Sequence, residues 1–266
     1  MRTPFRLAAA ILKSQLSGAI PGKKEKLPLC RVAVPDAAEQ AASADGARAP
    51  AKGKRATGPS AKILWLAGTE DSLASPSIGT FARELQNAGH TIFLVTDGTR
   101  LRRRIHEFQP NARLYLTVQL YGMPHTHDQR MGKDGAFALA IEGIRAAQLS
   151  GFLVCANVVV DDDARLHEIS QLLEHLCSVN LDGMIITAEN DGNKAQRETA
   201  IAARGLIGNP WWASFSRLVQ LSFDEPGPAV ASGSVPTKNA AFPRANDLGA
   251  RTKQDTTVSS EEVALQ

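Results

Sequence analysis

Cysteine is scarce in this chain: three in 266 residues, Cys30, Cys155 and Cys177, with no pair at Cys-x-x-Cys spacing. So sparse and odd a set excludes a disulfide framework and fits a reducing, cytoplasmic compartment. Aromatic residues are few, at 5%. No apolar run approaches the length a membrane span needs. Charge of one sign is also lacking. The formal net charge is +3, too little to imply a nucleic-acid partner. Gly-x-Ser-x-Gly, His-Glu-x-x-His and Walker A patterns are absent, which removes the commonest hydrolase, zinc-protease and nucleotide-phosphate signatures.

What is present is the composition of a globular domain, 43% apolar and 21% charged, long enough for one large core. Short apolar runs recur at 63–67, 91–95, 114–118, 152–160 and 184–187, with a sixth candidate from Leu29 to Val34 closed by Pro35. Several are nearly continuous in hydrophobicity rather than alternating, the mark of strands buried on both faces. Helical patterns lie between them: Ile78, Phe81, Ala82 and Leu85 ahead of Gly89; a stretch from Thr99 to Phe108; Phe137, Ile141, Ile144, Ala147 and Leu149 closed by Gly151; and Leu166, Ile169, Leu172, Leu173 and Leu176. Gly89 and Gly151 sit where a helix C-cap glycine belongs. Strand and helix alternate about every thirty residues, the rhythm of repeated βα units and a parallel sheet. An open sheet and a partial barrel both satisfy it. Trp211, Trp212, Phe215 and Leu218 predict a further helix whose aromatic face caps the core.

Composition divides the chain. Residues 1–26 read as an N-terminal amphipathic helix (Phe5, Ala8, Ile11, Leu12, Leu16) followed by a linker with Lys23, Lys24 and Lys26. Its apolar stripe is expected to dock on the domain, with peripheral membrane contact as the alternative. The domain spans 27–224. Within it, residues 36–61 carry almost no large apolar side chain and are expected to be a disordered loop. Residues 225–266, rich in Pro, Gly, Ser, Thr and charge, are expected to be a disordered tail. Basic clusters at Arg48, Lys52, Lys54 and Arg55, and at Arg100, Arg102, Arg103 and Arg104, read as solvated faces, with a phosphate or lipid-headgroup patch as the alternative.

Candidate chemistry gathers where strands end, since α/β folds place their sites at the carboxyl edge of a parallel sheet. Gly68, Thr69, Glu70 and Asp71 follow one strand, Thr96 and Asp97 the next, and Tyr121 and Gly122 the one after; Asn157 falls within the fifth. Each is also compatible with ordinary turn chemistry. His125, His127 and Asp128 have metal-ligand spacing, but no further cluster is placed to complete a coordination set. Asp161, Asp162 and Asp163 read as the end of a strand and the start of a helix.

The order of these pieces resembles the radical S-adenosylmethionine (SAM) superfamily, in particular the hopanoid-biosynthesis branch that attaches adenosyl to hopene. The similarity runs from the opening helix to about Ala188. Residues 28–35 look like that family's first strand. Ala67 to Asp71 resembles its AGGEP turn, whose backbone meets the methionine moiety of SAM. Thr96 and Asp97 stand where the family has Thr-Asn, and residues 120–122 stand for its Leu-Asp-Gly. Residues 127–135 are similar to its HDRSVCxxG segment. Gly151, Phe152 and Asn157 match residues around its fifth strand, and residues 181–187 resemble its sixth. The resemblance implies a partial (βα)6 TIM-like barrel and a SAM site at Gly68, Thr69, Glu70, Asp71, Thr96, Asp97 and Asn157. It also implies a [4Fe–4S] cluster held by a CxxxCxxC loop just after Pro35.

The departures point the other way. Residues 36–61 contain no cysteine, Thr69 and Asp71 replace a Gly and the Pro of the turn, and Gly132 replaces the later cysteine. Three thiolates hold three irons of such a cluster. The resemblance therefore implies a degenerate member, a non-catalytic binding or scaffold protein beside a protein partner or an enzyme of hopanoid or isoprenoid-lipid metabolism. The alternative is an active adenosyl transferase with an atypical or partner-supplied iron–sulfur site.

Overall fold

Five of the six apolar runs become strands buried along nearly their whole length. In a computed structural model the described residues are 7–9, 11–13, 27, 29–34, 62–68, 71–190 and 193–224. They form six strands: β1 Leu29–Ala33, β2 Ile63–Ala67, β3 Thr91–Thr96, β4 Leu114–Leu120, β5 Leu153–Val160 and β6 Gly183–Ala188. β4 is buried at every position, and only β1, at the edge, is half-buried. Every pairing is parallel, and the spatial order is the chain order, β1 to β6.

That order decides between the two architectures the pattern left open. A doubly wound sheet reverses direction at a switch point. Here each connection steps one strand the same way, so crossovers of one hand lay their helices on one face. The sheet is a curled half-barrel, an α/β fold consistent with a partial TIM-like barrel.

The helices are α1 Ile78–Asn87, α2 Leu101–Arg104, α3 Pro124–Met131, α4 Ala136–Leu149, α5 Leu166–Ser178, α6 Lys194–Gly205 and α7 Pro210–Asp224. The Thr99–Phe108 helix is shorter than expected. α2 covers one turn and then tightens into a 3-10 turn at Ile105–Glu107. Leu149, expected on the buried stripe of α4, is 91% exposed, because two residues of helix turn it to the side opposite the buried Ala147. Gly89 and Gly151 adopt the left-handed backbone expected of them, at φ +94° and +80°.

Strand pleating assigns side chains to faces. Val118 of β4 lies toward α4, since a side chain on Gly98 would meet both Val118 and Ala140. Tyr115, Thr117 and Gln119 therefore face the hollow of the half-barrel. There the aromatics collect: Trp65 stacks on Phe93 at 6.0 Å and Phe93 on Tyr115 at 4.7 Å. α7 closes the hollow, placing Phe215 5.2 Å from Phe93 and Phe223 5.4 Å from Trp65. The expected aromatic helix is thus α7, and its face packs on the core as expected.

Residues 7–9 and 11–13 are helical, with Leu7 and Ile11 buried. The rest of the 1–26 segment, the 36–61 loop and the 225–266 tail lie outside the described residues. Among the described residues no helix is long and apolar enough to cross a membrane.

Candidate functional site

Layers of side chains rise through the hollow from aromatic to polar. Above Tyr115 on β4 comes Thr117, in register with Cys155 of β5, which pairs with Gly183 of β6. The next layer holds Gln119 and Asn157, in direct register, with Ile185 beyond. Above that, Val159 pairs with Thr187, whose hydroxyl donates to Asn157 Oδ1 at 3.1 Å. All are buried. The Thr117 hydroxyl finds no hydrogen-bond partner among the described residues. An unsatisfied buried hydroxyl is costly and calls for an explanation.

The carboxyl rim is built from turns. Asp71 follows β2. Its Oδ1 accepts from the Thr96 hydroxyl at 2.7 Å and from the Leu73 amide at 3.3 Å. Thr96 Oγ1 in turn accepts the Gly98 amide at 3.1 Å. Asp97 Oδ1 accepts the amide and hydroxyl of Thr99, at 2.7 and 2.8 Å. Burial, reinforced by the nearby Asp97, pushes the Asp71 carboxyl up to about 6 against the help of Thr96, Leu73 and Arg100. Asp71, Thr96 and Asp97 are thus brought together. The Gly68 amide is engaged by Ser72 Oγ at 3.2 Å, which closes part of the turn on itself. Thr69 and Glu70 lie outside the described residues. Asn157 is not at the rim but mid-strand, at the level of Gln119.

The other predicted sites separate. His127 is fully buried beside Tyr121 and Phe137, while His125 is exposed. His127 Nδ1 accepts the Tyr121 amide at 3.4 Å, so a neutral ring carries its proton on Nε2, where no acceptor lies among the described residues. Burial lowers its pKa to about 4. Asp128 is occupied in capping α4, accepting the amides of Gly135 and Phe137, each at 2.7 Å. Among the described residues no group of three or more His, Cys, Asp or Glu is arranged to hold a metal ion.

Asp161 does not start a helix. α5 begins at Leu166, and the buried Asp161 carboxylate lies 3.9 Å from Arg130 Nε. Arg130 also pairs with Glu189 and stacks over Tyr121 at 5.0 Å. This knot at the ends of β4, β5 and β6 escaped sequence reading, as did Thr117, Gln119 and Thr187. Polar residues at alternate positions of apolar strands were the available signal.

The cysteines do not fit an iron–sulfur cluster. Cys30 is half-buried in β1 and its thiol donates to the Arg31 carbonyl. Cys155 is fully buried in β5, and Cys177 is exposed on α5. Burial raises the pKa of both Cys30 and Cys155, which disfavours the thiolate that binds metal.

No family model matches this sequence, and no curated protein does. Among solved structures, one described as TYW1 with a lysine–pyruvate adduct bound is similar at 15% identity and a TM-score of 0.38. The match covers 48% of this chain and 41% of that one. The chain thus matches less than half the length of that structure, and a likeness at this level carries no functional argument.

Proposed function

We propose that this chain is a degenerate radical SAM-like domain that binds a polar small molecule, SAM or a ligand of like polarity, and performs no cluster chemistry of its own. The observation that carries the binding reading is the polar layer at Thr117, Gln119, Asn157 and Thr187, set above the aromatic floor on the hollow side of the sheet. Amides and hydroxyls of this kind orient a ligand by hydrogen bonds. The same layer offers no nucleophile paired with a base. Asn157 is the residue of this layer suited to hold SAM's polar groups, and Gly68, Thr69, Glu70, Asp71, Thr96 and Asp97 are the further positions that the sequence resemblance assigns to SAM. The non-catalytic part of the reading rests on cysteine chemistry: three thiols on β1, β5 and α5 cannot share one cluster. A role beside an enzyme of hopanoid or isoprenoid-lipid metabolism follows from the sequence resemblance and belongs to the same proposal.

Anaerobic reconstitution with iron and sulfide, followed by iron analysis and visible absorbance, tests the first half. Less than one cluster per chain is expected; a stoichiometric cluster that cleaves SAM under reductant overturns it. Calorimetric titration with SAM tests the second. Saturable heat is expected, weakened about tenfold in Asn157→Ala, roughly the loss of one or two hydrogen bonds. No heat at millimolar SAM removes the site assignment.

A further inference from the structure

A cleft of about 610 Å³ opens at the rim, between the segment after β3 and the α3–α4 turn. Its walls are fixed by backbone. Gly98 has φ +81° and no room for a side chain against Ala140, and a side chain on Gly143 would strike the Gly98 carbonyl at 2.7 Å. These contacts seat the β3–α2 loop tightly on α4. The opposite wall is held by the two Asp128 bonds to the start of α4.

Four cations and two acids line the cleft. Arg102 is closed by its ion pair with Glu142, and Asp97 is already engaged by Thr99. That leaves Arg100, Arg103 and Lys133. Arg100 stands at the edge of an ion pair, 4.0 Å from Asp71. Arg103 and Lys133 have no acidic partner among the described residues. Three cations from two separate elements converge on one concavity with a surplus of positive charge. Met131 and Leu139 add an apolar surface. The volume suits a ligand of nucleotide or smaller size. Arginine and lysine together are the usual partners of phosphoryl oxygens.

We propose that this cleft binds the phosphate group of a soluble phosphate ester, through Arg100, Arg103 and Lys133, with the ester's carbon portion against Met131 and Leu139. The cleft meets the residues assigned to SAM at Asp97, but Arg103 and Lys133 belong neither to that set nor to the polar layer, and the proposal goes beyond that reading.

Calorimetric titration of the full chain with inorganic pyrophosphate and with phenyl phosphate tests it. Saturable one-site binding is expected for both, and none for phenol. Arg103→Ala and Lys133→Ala are each expected to weaken binding about fivefold or more. Lys194→Ala, on α6 in its own pair with Glu198, leaves it unchanged. SAM titration is unaffected by either cleft variant, so failure of one reading is distinguishable from failure of the other. No heat with either phosphate at millimolar concentration overturns the proposal, as does binding indifferent to both cleft variants. Sedimentation with phosphatidylglycerol vesicles separates a lipid source. Vesicle binding lost in Arg103→Ala and Lys133→Ala, without soluble binding, also overturns it.

Discussion

Two buried titratable side chains, each within reach of the Asp97 charge, act on stability in opposite directions. Asp71 has an ordinary value near 3.8, raised to about 6 by burial and by Asp97. Its folded form holds the proton more tightly than the unfolded chain, so it favours folding below about pH 4. That contribution is lost as pH rises towards 6. His127 has an ordinary value of 6.5, lowered to about 4 by burial. It favours folding above about pH 6.5, and that contribution is lost as pH falls through 4. The two slopes oppose each other over the same window, and the protein's stability should vary little between pH 4 and 6.5. Asp71→Asn keeps an oxygen to accept from Thr96 and Leu73 but cannot ionise. It is expected to match the parent near pH 4 and exceed it at pH 7, by up to about 3 kcal/mol, since each tenfold change in proton affinity is worth roughly 1.4 kcal/mol. Urea unfolding across that range reads the difference directly. A variant weaker than the parent at pH 7 would mean the Asp71 carboxylate is stabilised in place by Arg100.

At the level of elements, the informative case is the free edge of β6. The last strand of an open half-barrel presents unpaired backbone groups, which native proteins must cover. α7 covers them with side chains one turn apart. Ser216 Oγ accepts the Ile186 amide at 2.7 Å and donates to the Ile186 carbonyl at 2.8 Å. Gln220 Oε1 accepts the Ala188 amide at 2.8 Å. Arg204 of α6 adds Nε to the same Ile186 carbonyl at 3.1 Å. Ser216→Ala would therefore leave a buried amide unpaired while the carbonyl keeps Arg204. A loss of about 1–3 kcal/mol is expected from denaturant unfolding, with the slope unchanged.

Other elements show why some of the fold was legible and some was not. The strands and α1, α4, α5 and α7 could be read because large apolar side chains recur along each at the spacing of its element, as Ile78, Phe81 and Leu85 do in α1 and Phe137, Ile141 and Ile144 in α4. α6 could not, since its buried apolar positions are alanines, Ala200 and Ala203. Its one signal is the Asn193 cap with Gln196 three residues on, a capping-box spacing. α3 buries only His127 and reads as a polar loop. The rim turns were legible as a sequence of strand ends. The polar layer was not, because Gln119, Asn157 and Thr187 meet only once three strands are in register.

For the molecule as a whole, a six-stranded half-barrel encloses less than a closed barrel and must fill its hollow by other means. Here the filling is aromatic and comes from both ends of the chain's fold: Trp65, Phe93 and Tyr115 from the sheet, Trp212, Phe215 and Phe223 from α7. The fit is tightest at Gly183. A Cβ there would stand 2.3 Å from the Trp212 ring, far inside van der Waals contact, and the ring is fully buried with nowhere to retreat. Gly183→Ala is expected to cost about 1–3 kcal/mol by overpacking, and Trp212→Ala about 3–5 kcal/mol by leaving a cavity. The decisive measurement combines substitutions. In Trp212→Phe the smaller ring frees space beside β6, so adding Gly183→Ala should cost less than it does in the parent. A coupling of about 1 kcal/mol or more in that double-mutant cycle is expected of residues in contact. Additive losses would mean that α7 does not seat Trp212 on β6, and the hollow would need another filling.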